Sequence, residues 1–241
     1  PLLPRHSRCM AEAVMTNPAM IESTAICVSF LSCRTPYLLP PGEEDYARAA
    51  HKRYSSEYGD FVGCQILYRK YISIKESKKR EDFCNANYLD FECMEEIVHV
   101  TKQLCDITRE LGIPVTSHDG AMDEEFTRQC LACLCPGLIQ YICARKSRSV
   151  YRTLTADEIY IHPGSAWFRN PPMFLLAGEI VLTTRLYART VSPLKKNWVE
   201  QFAPRLCSMS SEKEIEHVEK KDHTSKSVTI YGHTLPLIYE G

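Results

Sequence analysis

Glycine is scarce in this 241-residue chain, and none of its ten glycines is followed by lysine. That excludes the Gly-x4-Gly-Lys-Ser/Thr loop whose backbone amides cradle nucleotide phosphates. HExxH, GxSxG and GxGxxG are equally missing, which removes the common zinc-protease, serine-hydrolase and dinucleotide signatures. There is no long hydrophobic run. The longest apolar stretch, residues 173–182, is too short to span a bilayer and already contains Glu179. The opening residues, PLLPRHSRCMAEA, have neither a signal-peptide core nor an initiator Met, and they read as an internal segment of a longer polypeptide.

Cysteine, by contrast, is plentiful, with twelve residues. Without an export signal, in a chain 44% hydrophobic, these read as reduced thiols used as small core residues, and the expected compartment is the cytoplasm. Cys130, Cys133 and Cys135, with Cys143 beyond, resemble half of a zinc site. The second half needs another close pair, which Cys143 does not supply, so no metal site is assigned.

The net charge of −1 hides an asymmetry. Residues 141–205 hold ten Lys/Arg against four Asp/Glu, while the remainder holds 19 against 26. One basic region in an otherwise acidic chain is the footprint of a localised anion-binding surface.

The periodicity divides the chain in the same way. Residues 1–136 carry apolar residues at helical spacing and form the expected helical bundle. Asn17-Pro18 reads as a helix start, Asp60 as a cap, and Gly112 with Pro114 as the stop of a long helix over 91–111 with Met94, Ile97, Val98, Leu104 and Leu111 on one stripe. Residues 137–241 switch to period two. Strands are expected over 138–143, 149–154, 158–162, 173–183 and 185–191, then a helix over 195–206. Five short strands with a helix fit a small barrel of the OB type. Residues 210–226 read as a polar solvated segment, and 227–231 with 235–239 as a final hairpin turning at Gly232. The fold class is therefore α+β.

The most informative residues lie in Thr183-Thr184-Arg185-Leu186-Tyr187-Ala188-Arg189. Alternation places Arg185, Tyr187 and Arg189 on one face of a strand. An aromatic ring between two guanidinium groups suits a single nucleic-acid strand, the ring stacking on a base and the arginines meeting phosphates. The competing arrangement is a Tyr packed on its own sheet, with the arginines paired to carboxylates such as Glu179. Arg145, Lys146, Arg148 and Arg152 form a second basic cluster between the first two strands, and Lys195 with Lys196 a third. In His162-Pro163-Gly164-Ser165, Gly164 allows close approach and Ser165 offers a hydroxyl, though the same four residues make an ordinary turn. Trp167 and Phe168 are expected in packing contacts rather than under bases.

The run IHPGSAWFRNPPMFLLAGEIVLTTRLYARTVSPLKKNWVEQFAPRL, residues 161–206, resembles the C-terminal OB-fold region of DEAH-box RNA helicases, with the bacterial HrpA type nearest. The upstream half resembles the ratchet region of the same family through Pro1-Leu2-Leu3-Pro4-Arg5, Arg34-Thr35-Pro36, Asp60-Phe61 and Asn87-Tyr88-Leu89. The resemblance implies an accessory portion that holds single-stranded RNA. Its partners would be RecA-like motor domains of the same polypeptide, which bind ATP and Mg; this chain itself would need no cofactor. A protein regulator docking on the same region is the alternative it implies, and a membrane is not among the expected partners.

Overall fold

The computed structural model describes residues 2–204, 227–230 and 233–236. Seven helices come first: α1 (Pro4–Thr16), α2 (Ile21–Ser32), α3 (Glu44–His51), α4 (Asp60–Ser73), α5 (Ser77–Ala86), α6 (Phe91–Glu110) and α7 (Glu124–Leu134). Strands β1 (Ile142–Ser147), β2 (Val150–Arg152), β3 (Ile159–Ile161), β4 (Phe174–Leu182) and β5 (Leu186–Leu194) follow, then α8 (Lys196–Phe202). A separate pair, β6 (Ser227–Ile230) and β7 (His233–Pro236), is antiparallel. The expected polar segment 210–226 and the turn at Gly232 lie outside the described residues. No helix among the described residues is long and apolar enough to cross a membrane.

α2 is the centre of the helical part. From Ile21 through Phe30 every residue but Glu22 is buried, and Glu22 reaches out to pair with Arg69. α6 packs its stripe of Cys93, Met94, Ile97, Thr101 and Cys105 against α2, and Thr101 donates to Ser29 at 2.9 Å. Asp90 caps α6 by accepting the Cys93 amide, and Gly112, with φ +78°, closes it. Leu111 lies beyond the last turn and is 73% exposed, so it is not part of the stripe expected of it. Asn17 does not cap: its amide donates to Gln129 at 3.0 Å, and a 3-10 turn over Pro18–Met20 precedes α2. α5 has no counterpart among the elements expected from sequence, because SKKREDFCNA buries only Cys84 and shows no apolar stripe.

The five strands close into a barrel in the order β1-β2-β3-β5-β4, with β4 returning to β1. β3 and β5 are parallel and the other pairs antiparallel. β5 runs past the expected Val191 to Leu194; Pro193 sits in register with Leu175 and does not break the strand.

Side-chain alternation reverses midway along the β4–β5 ribbon. Leu175, Ala177 and Val191 fill the barrel, yet so do Ile180, Leu186 and Ala188. The reversal falls at Gly178 and Thr190, and Thr190 has φ +54°, an uncommon conformation for a β-branched residue. Beyond it, Phe174, Leu176 and Leu194 face the helices and join Cys9, Ile21, Leu131, Leu138, Ile142, Trp198 and Val199 in one core. The helical part and the barrel therefore share apolar packing as well as a chain connection.

Candidate nucleic-acid interface

The near half of the ribbon, from Glu179 to Arg189, stands clear of the helices, and its outer face carries the residues singled out in the sequence. β3 lies alongside in parallel register, with Tyr160 opposite Tyr187. The two rings are 6.4 Å apart and tilted by 53°. The Arg185 guanidinium lies over Tyr160 at 5.0 Å from the ring centroid. On the other side, His162 meets Tyr187 edge-on at 5.8 Å. The result is a continuous run, Arg185, Tyr160, Tyr187 and His162, in which one cation leads three rings. Tyr160 and His162 were not assigned to this face from sequence; the alternation Ile159-Tyr160-Ile161, buried-out-buried, is the signal that marks Tyr160.

Arg189 belongs to this face but is held by Glu179, its cross-strand neighbour, at 3.4 Å. The carboxylate pairing weighed from sequence is thus present at Arg189 alone: Arg185 has no carboxylate partner among the described residues. His162 accepts the Gly164 amide at Nδ1, which places its ring proton on Nε2. Burial and the Arg189 charge lower its pKa against the opposing pull of Glu179, so the ring is neutral at physiological pH.

The other basic residues separate. Arg152 is 7% exposed and packed in the barrel wall, which removes it from any surface cluster. Arg145 donates to the Pro171 carbonyl at 2.8 Å, and Lys146 pairs with Asp157 at 3.4 Å. Arg148 projects at the β1–β2 turn without an ion pair among the described residues. Lys195 is tied to Glu124 of α7 at 2.6 Å and lies over Trp198, whereas Lys196 is exposed at the start of α8. Trp167 packs against the barrel interior; Phe168 is 48% exposed, contrary to the packing expected of it.

Ser165 does not offer its hydroxyl to solvent. Its oxygen accepts the Trp167 amide at 3.2 Å, and its side chain hydrogen-bonds Asp60. Nor does Asp60 cap α4. Gly59, at φ +108°, occupies the cap position, and the Asp60 carboxylate crosses to the barrel, accepting Val191 N–H at 2.8 Å and Ala166 N–H at 3.2 Å. Burial pushes this carboxyl above its usual range, opposed by those hydrogen bonds.

The cysteines occupy the interior. Eleven are described, all free thiols, and only Cys33 is not fully buried. Cys130 Sγ lies 3.9 Å from Cys27 Sγ. Burial raises the Cys133 thiol to about 11 and Cys9 to about 12, so both stay protonated at neutral pH. Among the described residues no group of three or more His, Cys, Asp or Glu is placed to hold a metal ion.

Residues 130–206 match the oligonucleotide/oligosaccharide-binding (OB)-fold family. Over 202 residues, 84% of this chain, the sequence is 38% identical to the ATP-dependent RNA helicase HrpA of Borreliella burgdorferi, of which the match covers 24%. The HrpA of Escherichia coli is 26% identical over 99% of this chain and 18% of its own length. Both matches run through the helical part and the barrel alike. The human probable ATP-dependent RNA helicase DHX35 is 23% identical over 85% of this chain. The chain spans about a quarter or less of the two HrpA proteins, and the OB match within it begins inside α7.

Proposed function

We propose that this chain is the accessory, RNA-holding portion of an HrpA-type ATP-dependent helicase, and that single-stranded RNA lies along the outer face of the β3–β5 wall. The observation that carries this is the Arg185, Tyr160, Tyr187 and His162 run on a barrel of the OB family. Bases stack on the exposed parts of Tyr160 and Tyr187, which tolerates any sequence because every base has a π-face. Arg185, carried on Tyr160, meets a phosphate. Arg189 does the same when it exchanges Glu179 for the strand. Neutral His162 contributes the edge of its ring without adding charge. Arg148 and Lys196 extend the positive field without touching this face.

RecA-like domains of the same polypeptide, binding ATP and Mg, would supply the motor. Residues of this chain do not fit those groups: no Gly-Lys pair exists, and the described residues gather no metal-binding cluster. No step of RNA holding runs through them. A reducing cytoplasm suits the buried free thiols.

The reading is tested by fluorescence anisotropy of a labelled single-stranded RNA with the 241-residue chain at several salt concentrations. Binding is expected to weaken with salt, and Arg185→Ala with Arg189→Ala to flatten the log–log slope by about 1.4, at about 0.7 for each phosphate no longer neutralised. Tyr187→Ala should cost about 1–3 kcal/mol of binding. Affinity that ignores salt, or that survives the double arginine replacement, overturns the proposal.

A further inference from the structure

We propose that Asp60, in the helical part, is a positioning residue for the RNA-contacting face, acting through the kink at Thr190 on Arg189 and Tyr187. The inference rests on the RNA reading above and adds a residue that touches no RNA. Asp60 occupies the first turn of α4, where a carboxylate ordinarily meets its own helix amides. Instead it receives three donors from the barrel: Val191 N–H, Ala166 N–H and the Ser165 side chain. Val191 immediately follows Thr190, so the carboxylate takes a strand amide just where alternation reverses. Arg189 and Tyr187 point outward because of that reversal. Ser165 and Ala166 close the turn that starts at His162, and His162 N–H donates to the Ala188 carbonyl at 2.9 Å. One side chain thereby holds both strand and turn, on which Tyr187, Arg189 and His162 stand.

The surroundings leave the carboxylate little freedom. The Phe61 amide donates to Ser192 Oγ at 3.3 Å, and a Cβ on Gly59 would lie 2.2 Å from that oxygen. A Cβ on Gly178 would lie 2.4 Å from Leu31 Cδ2. Helix and strand therefore meet at backbone range, and the carboxylate is the polar tie within an otherwise close contact. A shift of α4 is passed through it to β5.

Asp60→Asn keeps the shape but turns an amide donor toward at least one of the donors now served, so one tie is broken. In the same anisotropy assay, with the competent fraction fixed by stoichiometric titration, Asp60→Asn is expected to weaken RNA binding at least about fivefold through reduced preorganisation. It is also expected to flatten the salt dependence, although Asp60 meets no phosphate. Combined with Arg189→Ala, the total loss should be smaller than the product of the separate losses, because both act on one interaction with the RNA. A purely structural role would lower the competent fraction and leave affinity and salt slope unchanged. If Asp60→Asn does not fold, Ser165→Ala, which removes one donor to Asp60 together with the acceptor of the Trp167 amide, carries the same cycle. Wild-type affinity in the variant, or losses that multiply, overturn this inference while Tyr187→Ala still upholds the RNA reading. No RNA binding by the unaltered chain overturns both.

Discussion

His6 is fully buried in α1, with Nδ1 at 3.0 Å from Ser32 Oγ and no partner at Nε2. Burial, aided by the neighbouring Arg5 charge, lowers its pKa to about 4. In the unfolded chain the ring titrates near 6.5, so between these values the unfolded state binds the proton first and folding weakens as pH falls. The stabilisation is complete above pH 6.5 and lost toward pH 4. About 2 kcal/mol should be gone by pH 5. Urea titrations of wild type and His6→Gln at pH 7.5 and 5 measure this; equal pH dependence in the two would refute it. Asp60 is the opposite kind of buried group, a carboxylate whose donors sit 106 and 131 residues away. Gly59-Asp60 ahead of an apolar run has the local look of a helix start, and no local pattern records such distant partners. That is why the residue was legible as a boundary and illegible as a tie.

The elements show where sequence pattern succeeds. α6 has a periodic stripe, a capping Asp and a terminal Gly, three signals that agree, and its ends fall where expected. α5 has none of them. It shows ion pairs such as Lys78–Glu81 along its exposed face and a single buried Cys84, so nothing in its own sequence announces it. In β5 the outward pair Tyr187 and Arg189 follows directly from period two, with Arg185 in the turn just before the strand rather than at its expected start; the reversal at Thr190 does not follow, because a positive φ is ordinarily signalled by Gly or Asn. The strand's stability should register this. Thr190→Gly should be at least as stable as wild type, gaining up to about 1 kcal/mol by releasing left-handed strain. Glycine within an ordinary strand instead costs about that much through backbone entropy. Chemical denaturation distinguishes the two, and a loss above about 1 kcal/mol would show that Thr190 is not strained.

Across the whole molecule, the change from helical to strand periodicity near residue 137 was plain, and the structure changes character there. What composition could not show is that the core ignores this boundary. Leu176 and Ile142 of the barrel pack in one cluster with Cys9, Ile21 and Leu131 of the helices. Leu176→Ala should therefore cost about 2–5 kcal/mol and lower the stability of both parts together. Far-ultraviolet circular dichroism, which follows the helices, and fluorescence of Trp167 and Trp198, against the barrel interior and at the shared core, should give one coincident transition. Two separated transitions would mean the parts unfold independently. The candidate site was legible in its strand residues and not in its partner strand: Arg185 and Tyr187 announce themselves, whereas Tyr160 acquires meaning only when parallel pairing brings it alongside.

The ribbon of β4 and β5 is anchored unequally along its length, and in its outer half only Leu186–Ala188 are braced by β3. From Phe174 to Gly178, and from Val191 to Leu194, it is buried and clamped between barrel and helices. From Glu179 to Arg189 only one face is packed, and Leu182 at the tip is 75% exposed. Force on the tip has its largest moment at the root, where Gly178, Thr190 and the Asp60 tie sit together. Displacement of the outer half is therefore resisted at the point where the helices are fastened to the ribbon, through Val191 and Ser192.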